Sequence, residues 1–148
     1  MSSDDVSNLF NARCVRSAVS AGGAEAPPAR YAISSGTVYD TRTRLTWQQA
    51  FALANYSEPD AGAYCTTLNL GGFRWRLPTM KELLTLVDFS QSSSPTIDLT
   101  AFPGTPEDEF WTATAFAGGS GRGLGVDFGY GLAYTTSVSI QYNARCVH

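Results

Sequence analysis

The chain of 148 residues carries the pentapeptide Asn-Ala-Arg-Cys-Val twice, at residues 11–15 and again at residues 143–147. The match continues at the same offset on the N-terminal side, where the paired residues are Val6-Ser7 with Val138-Ser139 and Phe10 with Tyr142. A repeat at the length of a domain is typical of proteins built from tandem units. The chain therefore begins with a copy of its own ending.

This repeat predicts the domain organisation. We interpret residues 1–16 as the tail of a preceding tandem repeat and residues 31–148 as one complete domain. Residues 17–30 lie between them, and their small, polar and proline-containing sequence predicts a linker. The alternative is that both copies belong to one domain as two equivalent strands.

Composition limits the class of protein. Hydrophobic residues make up 43% of the chain and charged residues only 16%, with 14 glycines, which favours a compact domain with β-structure and many turns. A net charge of −3 argues against a nucleic-acid partner or an anionic membrane surface. Because no apolar run approaches the roughly 18 residues of a membrane span, we also expect no membrane insertion.

The repeat predicts how the three cysteines pair. Cys14 lies in the N-terminal copy, so its partner would belong to the preceding unit, and Cys65 and Cys146 remain as the pair within the complete domain. Such a disulfide would stabilise the domain by about 4 to 5 kcal/mol and implies an oxidising compartment. The isolated chain could form a disulfide dimer through Cys14. The alternative is three free thiols in a cytosolic protein.

Metal and cofactor chemistry find little support in the sequence. The chain has no Cys-x-x-Cys motif and a single histidine, His148, so neither a zinc site nor a redox site is predicted. The acidic residues of Glu58-Pro59-Asp60 and of residues 107–109 do not form a lectin-type calcium motif. We expect no cofactor and no catalytic residue.

Local patterns predict the order of the elements. Residues 37–40 and 45–47 read as a hairpin, and residues 61–68 have the apolar spacing of a first helix that starts near Pro59-Asp60. Thr79 and Glu82 form a capping box that begins a second helix at about 80–88.

The second half of the chain reads as a long loop followed by strands. Residues 89–108 are rich in Ser, Thr and Pro, and we expect Ile97, Leu99 and Phe102 to attach this loop to the core. Strands are predicted at 110–114, 123–134 and 138–147.

An ordered set of motifs resembles a known family, the C-terminal domain of the Legionella collagen-like adhesin. The resemblance covers about residues 36 to 147 and rests on Asp40-x-x-Thr43-x-Leu45-Thr46-Trp47, the helix with Cys65, Trp75-Arg76-Leu77-Pro78-Thr79-x-x-Glu82-Leu83, Phe102-Pro103, Phe110-Trp111-Thr112, Val126-Asp127-Phe128-x-x-Gly131 and Arg145-Cys146-Val147. Two positions depart from the family pattern: Arg44 replaces a glycine, which argues against a tight positive-φ turn, and Thr112-Ala113 replaces a pair of serines.

The resemblance implies a C-type-lectin-like α+β fold, with two helices packed on a small antiparallel sheet, long loops and adjacent termini. It also implies a secreted or cell-surface protein, often repeated in tandem, with a role in adhesion or carbohydrate binding. The matched tryptophans and Phe128 read as core residues rather than as a ligand platform. Arg76 and Glu82 would orient the second helix as an ion pair or contribute to its cap.

The ligand site would then lie on the face made by the long loop and the neighbouring strands. Arg122, Asp127, Tyr130 and Tyr134 lie in a glycine-rich setting there, and tyrosine offers a rigid contact surface with a polar tip. We predict a binding or adhesion module whose partner is a glycan or a protein. One alternative is a structural spacer or self-association repeat. The other is an enzyme related to the lectin-like oxidases, which need a pair of reactive cysteines, whereas the best-placed pair here is better used as a disulfide.

Overall fold

The structure is a computed structural model that describes residues 29–148. Within these residues the chain forms two three-stranded antiparallel sheets and two helices. In chain order the elements are β1 (Tyr31–Ser34), β2 (Thr37–Asp40), β3 (Leu45–Gln48), α1 (Glu58–Thr67), α2 (Met80–Leu84), β4 (Glu109–Ala115), β5 (Arg122–Asp127) and β6 (Leu132–Ser137). The α+β class is thus confirmed, with two small sheets where one was expected. The predicted tail, Cys14 and nearly all of the predicted linker lie outside the described residues.

The first sheet has the order β1-β2-β3 and contains the predicted hairpin. Strand β1 was not predicted from the sequence. The turn between β2 and β3 keeps a left-handed residue at Arg44, with φ of 63°, and the Arg44 amide donates to the carbonyl of Asp40 at 2.7 Å. The expectation that an arginine would remove the positive-φ turn is wrong, because the backbone conformation is retained and the side chain tolerates it.

Both helices start at polar caps and differ from the prediction at one end. Helix α1 begins at Glu58, next to the predicted start near Pro59-Asp60, where Ser57 accepts a hydrogen bond from the Asp60 amide at 3.4 Å, and it ends at Thr67, one residue before the predicted end. Helix α2 has the predicted capping box, and Arg76 pairs with Glu82 at 2.7 Å. It ends at Leu84 instead of residue 88, because the next amides bond three residues back and the Thr85 hydroxyl donates to the Glu82 carbonyl at 2.6 Å.

The long loop after α2 is attached to the core at two of the three predicted positions. Ile97 and Phe102 are fully buried, whereas Leu99 is 43% exposed, so its assignment as an attachment point is wrong. The loop also bonds to the second sheet, where the Thr96 amide and hydroxyl donate to the Phe128 carbonyl at 2.7 and 2.8 Å. These bonds hold the loop beside the turn between β5 and β6.

The second sheet has the order β4-β5-β6. The stretch predicted as a single strand at 123–134 is two strands joined by a turn over residues 128–131. The last predicted strand, 138–147, forms isolated bridges instead of a regular ladder: Val147 pairs with Trp47 and Arg76, and Asn143 pairs with Phe110. Residues 143–147, here called the closing segment, therefore lie between the two sheets and connect them.

The core has two parts, and the disulfide lies in the second. The first gathers side chains from both sheets, α2 and the long loop, including Trp47 and Phe128. The second contains Trp75, Trp111 and the bond between Cys65 of α1 and Cys146 of the closing segment. The predicted disulfide and the predicted burial of all three tryptophans are confirmed.

Candidate ligand-binding face

Three of the four predicted site residues lie at one end of the second sheet. Asp127 is the last residue of β5, Tyr130 lies in the following turn and Tyr134 is in β6. Arg122 is the first residue of β5, so about 17 Å of strand separates it from Asp127. The structure brings Asp127, Tyr130 and Tyr134 into one region and places Arg122 in another.

The sequence of the β5–β6 turn explains its shape. The Asp127 carboxylate accepts from the Gly129 amide at 2.6 Å, and the Asp127 carbonyl accepts from the Gly131 amide at 2.8 Å. Gly131 has φ of +70°, and a Cβ there would lie 2.7 Å from the ring of Phe89. Only glycine satisfies both the left-handed backbone and the close approach of Phe89. The turn therefore projects Tyr130 outward.

Large apolar side chains surround this turn on the surface. Phe89, Tyr130 and Leu132 are 72%, 75% and 60% exposed, respectively. We call these three residues the turn patch. Phe89 packs against Gly131, whose chain neighbours are Tyr130 and Leu132, so the three exposed residues lie around the same turn. Clustered exposed apolar residues of this kind mark binding surfaces more often than scattered single ones do.

Carboxyl groups lie beside the turn patch. Glu109 of β4 pairs in register with Asp127 of β5, which pairs with Leu132 of β6, so the three side chains share one face of the sheet. A hydrogen bond with Asp108, together with burial, raises the pKa of Glu109 to about 7, while the same bond lowers the pKa of Asp108. The side-chain amide of Asn143 also donates to Asp108 at 3.2 Å. Because the pKa of Asp108 is lowered, this carboxyl group stays ionised at neutral pH, and the region remains acidic.

Tyr134 forms part of the sheet behind these carboxyl groups and is only partly accessible. Its ring lies over Gly125, its partner on β5, and meets the ring of Tyr142 edge to face at 5.7 Å. Its hydroxyl is buried without a hydrogen-bond partner among the described residues, and burial raises the pKa of this phenol strongly. Tyr130 therefore offers ligand contact directly, whereas Tyr134 mainly supports the face.

Arg122 lies at the mouth of a separate open cleft of about 410 Å³. The cleft is also lined by Glu58, Thr114, Phe116 and Ser120. The Arg122 guanidinium lies 5.8 Å from the Phe116 ring and donates to the Thr135 carbonyl at 3.1 Å. Arg122 is thus available to a ligand in this cleft and does not take part in the turn patch.

A second shallow groove, of about 400 Å³, runs beside α1. Tyr56 and Tyr64 stack there with ring centroids 5.2 Å apart, next to Asp60 and Thr67. Sequence reasoning missed this groove because Tyr56 precedes the helix and meets Tyr64 only through the fold. It also missed Phe89, which was assigned to the start of the long loop, and Leu132, which was assigned to the strand predicted at 123–134; neither carries a local signal of exposure.

Other kinds of site find no support in the described part of the chain. No group of three or more His, Cys, Asp or Glu side chains within residues 29–148 could hold a metal ion. Glu58-Pro59-Asp60 forms the first turn of α1, capped by Ser57. None of the helices in this part of the chain is both long and apolar enough to cross a membrane.

Comparison with known proteins places the chain in a family. No curated protein sequence matches it. Among solved structures that resemble it is the crystal structure of botrocetin, with a TM-score of 0.43 and 12% sequence identity over 84% of this chain and 98% of botrocetin. The model of the Lcl C-terminal domain family matches residues 36–148, which confirms the resemblance to that family. This chain is a member of the Lcl C-terminal domain family.

Proposed function

We propose that this domain is an extracellular binding module and that the turn patch, with the carboxyl groups beside it, is its ligand surface. The observation that carries this proposal is the exposure of Phe89, Tyr130 and Leu132 around one turn. Large apolar side chains that are exposed close together mark interaction sites more often than scattered ones do. Membership in the Lcl C-terminal domain family supports the same conclusion, because the resemblance to that family implies a role in adhesion or carbohydrate binding.

The chemistry of this surface favours a glycan or a protein that is neutral or carries positive charge. Aromatic rings provide flat apolar faces that suit the C–H faces of a sugar ring, and tyrosine adds a polar edge. Asp108, Glu109 and Asp127 would accept hydrogen bonds from hydroxyl or amino groups of the ligand. The same carboxyl groups would repel a strongly anionic ligand.

The setting of the domain is part of the proposal. The Cys65–Cys146 disulfide indicates an oxidising compartment. We propose that the protein is secreted or displayed at a cell surface and that this domain is one unit of a tandem-repeat adhesin. The repeated pentapeptide supports the tandem arrangement, with residues 1–16 as the tail of the preceding unit and 17–30 as the linker.

A glycan array tests the ligand surface. The chain would carry Cys14→Ser, to prevent disulfide dimers, and would be screened with and without calcium. Tyr130→Ala should abolish binding because this side chain is the most exposed member of the turn patch. Tyr39→Ala is the matched control, since Tyr39 is a 41% exposed tyrosine on the other sheet. Arg122→Ala tests whether the ligand binds in the cleft at the opposite end of β5 instead of at the turn patch.

Each outcome has a defined meaning. Binding that Tyr130→Ala abolishes and Tyr39→Ala leaves intact supports the turn patch. Binding lost with Arg122→Ala alone assigns the ligand to the cleft. Equal loss with Tyr130→Ala and Tyr39→Ala contradicts a local site. No binding to any glycan favours a protein ligand or the alternative of a structural spacer without a ligand of its own. We propose no catalytic activity for this domain.

A further inference from the structure

The closing segment fills a groove between the two sheets. All five of its side chains are buried, with the least buried, Asn143, only 5% exposed. Its backbone is bonded along its length: the Ala144 carbonyl accepts from Ala52 at 2.8 Å and the Cys146 carbonyl accepts from Gln48 at 2.9 Å. Every residue of the segment is therefore selected by the groove, through its side chain, its backbone or both.

Arg145 makes the most specific contacts in this groove. Its guanidinium donates to the Thr105 hydroxyl at 2.9 Å and to the Gln49 and Ala50 carbonyls at 3.3 Å. The rings of Phe102 and Phe110 lie 4.8 and 5.5 Å from the guanidinium carbon. Burial lowers the pKa of Arg145 to about 9, so the side chain still carries its charge at neutral pH. Among residues 29–148 the Arg145 guanidinium has no carboxylate partner, so the groove holds a buried arginine through neutral groups alone.

Residues 11–15 meet all of these requirements, because they repeat the closing segment residue for residue. The unbroken identity covers the five buried positions, and the flanking exposed positions differ: His148 corresponds to Arg16, and Gln141 to Leu9. We propose that residues 11–15 are a second occupant of the groove and that they can replace residues 143–147 of the same chain. Arg13 then takes the place of Arg145, and Cys14 takes the place of Cys146.

The chain is long enough for this replacement. Strand β1 begins at Tyr31, and the closing segment lies beyond β3, where Thr46 and His148 exchange backbone hydrogen bonds at 3.0 and 2.8 Å. Three strand spacings, or about 14 Å, separate β1 from the closing segment. The intervening residues 16–30 can span roughly 45 Å or more when extended. A tether of this length gives the same-chain segment an effective concentration on the order of millimolar, which favours it over a second molecule.

The replacement includes a disulfide exchange that needs no oxidant. The thiolate of Cys14 attacks Sγ of Cys65, the Cys14–Cys65 bond forms as the Cys65–Cys146 bond breaks, and Cys146 leaves as a thiolate. Cys65 and Cys146 are both fully buried, so the exchange requires the closing segment to leave the groove first. The C-terminal occupant predominates in the unaltered chain, because only residues 138–142 join it to β6, whereas the longer stretch of residues 16–30 joins residues 11–15 to β1.

Disulfide mapping of the full chain tests the proposal. Each variant is equilibrated in a glutathione redox buffer, quenched by alkylation and digested, and the ratio of Cys14–Cys65 to Cys146–Cys65 peptides is measured in the monomer fraction. Arg145→Ala weakens only the C-terminal occupant, and we expect it to raise this ratio at least tenfold. Arg13→Ala/Arg145→Ala weakens both occupants equally, and we expect the ratio to return to that of the unaltered chain.

A second variant avoids dependence on the folding of Arg145→Ala. Cys146→Ser retains every other contact of the closing segment, and we expect it to yield monomers with the Cys14–Cys65 bond. Absence of that bond in both Arg145→Ala and Cys146→Ser overturns the proposal. A ratio in Arg145→Ala that the added Arg13→Ala leaves unchanged also overturns it, because thiols are then meeting in an unfolded chain. Cys14–Cys65 bonds found only in covalent dimers contradict replacement within one chain.

Discussion

Replacement of Arg44 by glycine should stabilise the domain. Arg44 holds φ of 63° in the turn between β2 and β3, and its side chain is exposed. A left-handed conformation costs a non-glycine residue about 1 to 2 kcal/mol, whereas the extra flexibility of glycine in the unfolded chain costs roughly 0.5 to 1 kcal/mol. The difference predicts that Arg44→Gly raises the free energy of unfolding by about 0.5 to 1 kcal/mol.

Arg42 provides a matched control within the same turn. It is also exposed, and it is not among the described residues with positive φ. Arg42→Gly therefore relieves no backbone strain and should lower the free energy of unfolding by roughly 0.5 to 1 kcal/mol. Urea unfolding of the two variants should differ by about 1 to 2 kcal/mol, read from the midpoints at a common m-value. If Arg44→Gly destabilises as much as Arg42→Gly, the backbone of Arg44 stores no strain and the reasoning fails.

Three further predictions concern the interior. The double variant Cys65→Ala/Cys146→Ala should lose about 4.5 kcal/mol of unfolding free energy in urea, the chain-entropy value for a sequence separation of 81 residues; a loss below about 1 kcal/mol would contradict that model. The pKa of Glu109 is raised from 4.5 to about 7 in the folded state, so the folded state binds the proton more tightly. Stability should therefore fall as pH rises from about 4.5 to about 7, and Glu109→Gln should flatten this slope in urea titrations at several pH values. Tyr134→Phe should raise the melting temperature, because it removes a buried hydroxyl that has no hydrogen-bond partner within residues 29–148, worth about 1 kcal/mol; an unchanged or lower value would contradict this reasoning.

The candidate site could be predicted only in part from the sequence. Asp127 and Tyr130 were chosen for their glycine-rich setting, although the turn that separates β5 from β6 was not predicted. Phe89 could not be added to them, since it lies far away in the sequence and reaches the turn only because Gly131 leaves room for its ring. Tyr134 looked equally accessible in the sequence. Its burial follows from its register opposite Gly125, which has no side chain to hold the ring away from the sheet.

The sequence by itself determined the features that depend on neighbours along the chain. The capping box of Thr79 and Glu82 fixed the start of α2, because its hydrogen bonds span only three residues. The repeated pentapeptide and the cysteine count identified the Cys65–Cys146 pair.

Tertiary structure decided what depends on groups that are distant in sequence. The sequence around Arg145 does not indicate that this residue is a buried cation, because its hydrogen-bond partners Gln49, Ala50 and Thr105 lie 40 to 96 residues away. Packing also decided that residues 143–147 join the two sheets instead of forming a further strand in one of them. A strand pattern specifies which residues are buried, but it does not specify the partners that bury them.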